Sequence, residues 1–304
     1  MRKLGYLIIA YVVLVMYAMP SYGQGCSDAG FCTINSFKPN SLDSATISNK
    51  QIKVGAFYGK ADNSILVYGN YLEYNQQLTD KFGFNGKITS LAQSGNGISV
   101  FGLSDIFLNA TYKVVDNTKL TLGVKVPLSA AGKTHNGLPL PMDYQASLGT
   151  FDLVVGVAYQ IKKVQLVAAI QQPITQNNNM FIASSYPAES NLSTFQSTKN
   201  FKRSGDVLLR VSYPISIGSK LVLTPSLLPI YHLSNDKFTN ELNIEQEIAG
   251  SKGLTLNGNI YFDYNVSKSS TIQLNVGMPF IVRDARPDGL TRSFIANLEY
   301  QFNF

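Results

Sequence analysis

The sequence predicts an all-β protein, an antiparallel transmembrane β-barrel of about 12 strands with short periplasmic turns and long external loops. Three observations predict it. From about residue 45 to the end, apolar and polar residues alternate, which is the period of a strand with one apolar face. The alternating stretches exceed the roughly 5–6 residues usual for soluble strands and match the roughly 9–11 tilted residues that cross a bilayer. Their connections are in turn tight and long, the asymmetry of outer-membrane barrels.

Composition narrows the alternatives. Of 304 residues 45% are hydrophobic and only 14% charged, against roughly 25% charged in an ordinary soluble domain. Mean hydropathy is +0.02. Disorder needs low hydrophobicity and high charge, and a helical bundle needs repeated apolar runs of about 20 residues. One such run exists, at the N-terminus.

That run reads as a signal peptide over residues 1–23. Arg2 and Lys3 form its basic head, residues 4–19 are almost wholly apolar, and Ser21-Tyr22-Gly23 supplies small residues for cleavage before Gln24. Losing Arg2 and Lys3 takes the net charge from +6 to +4. Such a charge is too small and dispersed to imply a nucleic-acid partner. Export makes Cys26 and Cys32, the two cysteines of the chain, a disulfide pair. Residues 24–49 lack alternation and read either as a plug-like segment entering the lumen or as a periplasmic tail.

Strands are expected near 50–59, 64–75, 79–93, 102–115, 118–129, 146–160, 163–173, 203–217, 219–232, 253–266, 270–282 and 291–304. The turns at 75–79, 115–117, 161–162, 218 and 267–269 are tight. The connections 94–101, 130–145, 174–202, 233–252 and 283–290 are long, and only 60–63 is short on that side. In the last strand Phe294, Ala296, Leu298, Tyr300, Phe302 and Phe304 share the apolar face, with Ile295 breaking the polar one. Segment 238–248 also alternates, which leaves the strand count open by one. Tyr58, Tyr68, Tyr74, Tyr112, Tyr159, Tyr213 and Tyr264 recur near segment ends, as interfacial girdles require.

Alternation turns Lys53, Lys81, Lys87, Asp105, Lys113, Lys125, Asp152, Asp206, Arg210, Asp263 and Glu299 toward the lumen. A Lys or Arg facing lipid at mid-depth costs about 2–4 kcal/mol, so inward placement is the expected solution. These charges either line a permeation path or pair across a filled interior. Eight strands pack shut and 16–18 leave a channel, so twelve does not decide between them.

A family resemblance rests on motifs in residues 100–304. Gly102-Leu103-Ser104-Asp105 opens a strand, Leu122-Gly123-Val124-Lys125-Val126-Pro127 follows, and Gly149-Thr150-Phe151-Asp152 leads into another. Val276-Gly277-Met278-Pro279 then precedes Asp288-Gly289-Leu290-Thr291-Arg292. In this order they resemble the outer-membrane transporter barrels of the phenol-degradation-pathway type, distantly fatty-acid-channel-like. Ser104 stands where the family more often has Gly. The C-terminal Tyr300, Phe302 and Phe304 resemble the signal read by the barrel-insertion machinery. The resemblance implies a bacterial outer-membrane location, a lipid environment and import of a small hydrophobic or aromatic solute.

Catalytic chemistry is not expected. His135 and His232 are the two histidines, both in or beside external loops. Ser234 and Asp236 near His232 have a spacing common by chance for a Ser-His-acid site. No nucleophile-elbow, phosphate-loop or zinc motif occurs, and neither cofactor nor metal is implied. Glu241, Glu245 and Glu247 alternate with Leu242, Ile244 and Ile248 and read as the solvated face of a projecting strand. Two functions stay open: passive transport of a small solute, or a non-conducting barrel presenting external loops for structure or adhesion. The second would work through loop 174–202, where Met180, Phe181, Ile182, Tyr186 and Phe195 either seal the mouth or meet a partner.

Overall fold

The computed structural model describes residues 34–39, 49–289 and 292–304. The signal peptide and the Cys26–Cys32 pair lie outside these residues. The described chain builds a closed barrel of twelve antiparallel strands. We number them β1 (Lys50–Lys60), β2 (Leu66–Gln77), β3 (Phe82–Gly95), β4 (Ile98–Val115), β5 (Thr118–Pro127) and β6 (Asp152–Ile161). Then follow β7 (Val164–Pro173), β8 (Asp206–Ser212, resumed over Ile215–Ile217), β9 (Leu221–His232), β10 (Gly253–Asn265), β11 (Ser270–Ile281) and β12 (Phe294–Asn303). Each strand pairs with its neighbours in sequence, and β1 pairs with β12 from Gln51 opposite Asn303 to Lys60 opposite Phe294. Closure leaves no sheet edge, the condition for strands in lipid. The interruption of β8 falls at Tyr213-Pro214, where proline offers the ladder no N–H.

Burial follows the sequence alternation strand by strand. In β1 Gln51, Lys53, Gly55, Phe57 and Gly59 are buried while the residues between them are exposed. In β12 Ile295, Asn297 and Glu299 are buried and Leu298, Tyr300 and Phe302 are exposed. Ile295 therefore belongs to the inner face, and it packs there with Phe57 and Tyr71. Exposed Tyr159, Tyr213, Tyr264, Tyr300 and Phe302, with Phe82 against half-buried Tyr112 at 4.8 Å, ring the end that carries the short turns. Tyr58, Tyr68, Tyr231 and Phe294 ring the other end. Two aromatic girdles bounding an apolar band place the barrel as an outer-membrane spanner.

Two connections differ from expectation. Residues 94–101 form no long loop. β3 and β4 run on past the membrane and meet at Asn96-Gly97, both at positive φ (51° and 75°), the conformations of a two-residue hairpin turn. The phase of β4 changes lower down, which hides its outer half from an alternation reading. Ser90 pairs with Leu103 and Ile88 with Ile106, so Thr89 faces both Ser104 and Asp105 across a bulge. The 238–248 segment adds no barrel strand. Lys237–Thr239 and Glu245–Glu247 form a separate hairpin above the mouth. Lys81, expected inward, lies in the exposed 78–81 turn.

Leu122 stands midway along β5, on the outer face, and is 57% exposed. Leu122→Lys should destabilise the refolded barrel by about 2–4 kcal/mol in lipid. Denaturant titration in vesicles checks this; an unchanged midpoint would move β5 out of the hydrocarbon.

Candidate functional site

The lumen has two unlike walls. Phe107 of β4, Val154 and Ala158 of β6, Val167 and Ala169 of β7, Leu208 of β8 and Leu228 of β9 make one side apolar. Lys53, Glu73, Asn85 and Lys87 of β1–β3, with Asn257, Asn259, Asn297 and Glu299 of β10–β12, make the other side polar. Alternation sets both faces beside residues 34–39: β6–β9 turn Val154, Ala158, Val167, Ala169, Leu208 and Leu228 inward, with Arg210 among them, and β1–β3 and β10–β12 turn amides and charges inward.

Residues 34–39 lie inside this lumen. Asn35–Phe37 form one 3-10 turn, closed by Phe37 N–H to Ile34 C=O at 2.9 Å and Lys38 N–H to Asn35 C=O at 3.1 Å. Phe37 is fully buried on the apolar wall with Ile34. Gly156 makes room for it, because a Cβ there would sit 2.5 Å from two ring carbons. On the polar side Asn35 donates to Asn75 at 2.9 Å and accepts from Lys53 at 2.8 Å. Lys38 Nζ reaches Glu299 at 2.9 Å, and Arg210 donates to the Phe37 carbonyl. Thr121 donates to Ser36 at 2.8 Å. Below the segment a polar cavity of ≈ 80 Å³, edged by Asn75, Asn85, Lys119 and Asn303, opens toward the short-turn end.

Most of the sequence-derived inner charges are buried here. Lys125 and Asp152 sit opposite one another on β5 and β6 and pair at 3.1 Å, both with fully buried side chains. Thr150 donates to Asp152 at 2.6 Å, and Gln171 donates to its other oxygen. Removing one partner of such a pair costs about 3–5 kcal/mol, because the other charge stays buried. Asp105, inward in phase with Phe107 and Asn109, accepts from Ser104 at 3.0 Å and Ser147 at 2.6 Å. Asp263 accepts from Gln273 at 2.5 Å. Lys87 Nζ stands 4.0 Å from the Tyr71 ring centroid. Lys53 lies between Glu73 (3.9 Å) and Glu299 (3.5 Å). Lys113 differs: it is half-buried near the periplasmic rim and pairs with Asp116 of the 116–117 turn at 2.8 Å. Tyr300, Phe302 and Phe304 are exposed on the outer face.

The outer mouth is covered by the long loops. Loop 174–205 sends Phe181, Leu192 and Phe195 into one apolar cluster with Leu140 and Tyr144 of loop 128–151 and with Phe57, Val67, Leu91 and Ile98 of β1–β4. Met180 stays exposed. A charged network fixes the other side. Arg203 reaches Asp206 at 2.5 Å and Asp288 at 3.3 Å, and Arg283 reaches Asp288 at 3.0 Å. His232 is held by Asp206 on Nδ1 (2.7 Å) and Asp236 on Nε2 (2.8 Å). With both ring nitrogens on carboxylates the imidazole has no nitrogen left for a nucleophile, and the Ser234 hydroxyl donates to Ser204 instead. His135 lies exposed in a two-residue ribbon of loop 128–151. Glu245 pairs with Lys202 (2.5 Å) and Lys237 (3.0 Å) on the exposed hairpin.

Sequence reading missed Glu73, which shares the inner face of β2 with Tyr71 and was open to the alternation argument. It also missed Lys38, Arg203, Arg283 and Asp288. The segments of Lys38, Arg283 and Asp288 have no period, and Arg203, at the start of the expected 203–217 strand, has the parity of its outward residues.

Asp143 of the Met142–Tyr144 turn carries a pH-sensitive contact. Burial, together with the carboxylates of Asp62 and Asp288, pushes its acid up to about 7 from the ordinary 3.8. An acid raised in the folded state stabilises most below its unfolded value, and that stability is lost as pH rises through the folded one. Docking of 140–146 should therefore be tighter at pH 5 than at pH 8. Amide exchange over these residues, corrected for intrinsic rate, should show greater protection at pH 5, and Asp143→Asn should flatten the difference.

No family model matches the chain, and no curated protein matches it in sequence. Solved structures do. An outer-membrane channel of Pseudomonas putida F1 superposes with a TM-score of 0.57 at 15% identity, covering 88% of this chain and 99% of that one. The monoaromatic hydrocarbon channel CymD gives 0.46 at 10% identity, over 94% and 99% of the two chains. The toluene transporter TbuX of Ralstonia pickettii gives 0.40 at 12% identity, over 88% and 94%. The likeness to the Pseudomonas channel is one of fold: this chain's closed twelve-stranded barrel superposes on that channel.

Proposed function

We propose that the chain is a bacterial outer-membrane channel that passes a small hydrophobic or aromatic solute passively and rests with its lumen filled. The observation that carries this reading is residues 34–39 inside the barrel. They are held by side-chain contacts to both walls, and their Phe37 ring fills a niche that Gly156 leaves open. Side-chain contacts of this kind release without unzipping a strand. An apolar wall facing a polar one suits a small solute with an apolar body. The resemblance to phenol-degradation-pathway transporters points to the same solute class.

In this reading residues 1–23 are removed on export, Cys26 and Cys32 staple the start of the plug, and Tyr300, Phe302 and Phe304 address the barrel to the insertion machinery. The inward fold of loop 174–205 favours sealing over adhesion. The alternative keeps one supporting observation, the tip of the 237–247 hairpin, where Leu242 is 77% and Ile244 55% exposed.

Single-channel recording in planar bilayers, with and without residues 24–49, tests the proposal. The truncated barrel should conduct in larger discrete steps than the full chain. Equal steps would remove the segment as a plug. Silence in both would transfer the reading to the loop-presenting barrel.

A further inference from the structure

One ammonium group in the lumen is already held as a ligand would be. Lys38 Nζ donates to Glu299 Oε2 at 2.9 Å and lies 5.4 Å from the centroid of the Tyr71 ring. The Tyr71 hydroxyl donates to the same Glu299 oxygen and so fixes it. A carboxylate beside an aromatic face is the pair of groups that recognises an organic ammonium ion. The barrel wall supplies both, from β12 and β2. Lys38 comes from a segment that belongs to no strand.

Two further observations point the same way. Glu73 is fully buried on β2, and its Oε2 has no hydrogen-bond partner among the described residues, while Oε1 accepts from Asn75 at 2.9 Å. Buried acceptors are normally satisfied, so the polar wall carries more acceptor capacity than the resting occupant uses. Lys53 links this carboxylate to Glu299, at 3.9 Å and 3.5 Å. Next to Lys38, the Phe37 ring rests in its own apolar niche against Gly156. The segment thus presents an ammonium on a flexible four-carbon stem and, one residue away, a phenyl ring.

We infer that Glu299 and Tyr71 form a binding site for the ammonium group of a small organic amine, which Lys38 occupies in the resting protein as a tethered stand-in. The inference rests on the reading that residues 34–39 fill the lumen. It deepens that reading by naming a cationic headgroup for the solute. Entry of the amine and withdrawal of Lys38 exchange one positive charge for another, so the charge facing Glu299 is conserved at each step.

The test uses the full-length refolded chain with Lys38→Ala, which vacates the ammonium and its stem. Isothermal titration calorimetry in detergent compares n-butylamine, which matches the lost stem, with n-butanol, its neutral counterpart. The amine should bind K38A at least tenfold more tightly than it binds the unaltered protein, and at least tenfold more tightly than n-butanol binds K38A. Adding Glu299→Gln should erase the preference for the amine. Adding Tyr71→Leu instead should weaken amine binding severalfold while leaving n-butanol unchanged. The second variant keeps the test decisive if E299Q disturbs folding, which heat-modifiable migration on gels reveals. Equal binding of amine and alcohol to K38A, no binding of either, or a preference that survives both added substitutions would overturn the inference. Because calorimetry reads binding and not passage, a barrel that binds the amine but conducts nothing would defeat the transport reading alone. Conduction without amine preference would defeat this inference alone.

Discussion

Charge taken inside a membrane barrel has to find its counter-charge there, and much of this structure follows from that constraint. Lipid forbids the charges on the outer face, so alternation sends them inward. Once inward they are buried as deeply as any core residue: Lys125, Asp152, Glu299 and Arg210 are each no more than 2% exposed. The register of β5 against β6 sets Lys125 directly opposite Asp152. The register of β1 between β2 and β12 sets Lys53 beside both Glu73 and Glu299. Strand pairing and charge pairing are therefore one problem. A slip by one residue would turn every inner charge to lipid.

The N-terminal segment enters this arrangement as part of the solution. Glu299 draws on Lys38 as well as Lys53, and Arg210 donates to the Phe37 carbonyl. A filled lumen thereby costs less in unpaired polarity than an empty one with the same wall. The outer mouth obeys a similar rule by different means. There Arg203, Arg283, Asp288 and Asp236 tie three loops to one another and to His232 at the end of β9. The apolar cluster around Phe181 and Tyr144 closes the opposite side.

What the sequence made legible was whatever has a short period. A strand writes its inner and outer faces every two residues, so the twelve strands, their tight turns and inner charges such as Lys53, Lys125 and Glu299 could be read directly. The outer half of β4 could not, because the bulge at Ser104–Asp105 shifts the phase and makes Ser99 to Phe101 look like a loop. Parity puts Lys113 on the inner face, but parity carries no depth, and the residue sits half-buried at the rim beside Asp116. The contacts that fill the lumen join residues 173 and 261 positions apart, Phe37 with Arg210 and Lys38 with Glu299. No local pattern encodes such a pairing. Only closure of the barrel, β1 on β12, brings Glu299 to the strand that follows the segment.

The division of the lumen bears on what can replace the segment. A purely apolar solute would satisfy Phe107, Val154 and Leu208 but would leave Glu299 and the amides of β10–β12 facing a surface without donors. Burying those groups unpaired costs about 1–3 kcal/mol each, more where they are charged. A wholly polar solute would keep water against the apolar wall and lose the gain of about 25 cal/mol for each Å² that it could have covered. The segment itself meets both walls, placing Phe37 on one and Asn35 and Lys38 on the other, where Lys38 pairs with Glu299. On the proposed reading, a solute that displaces it has to meet both sides, which calls for an apolar body and one polar end.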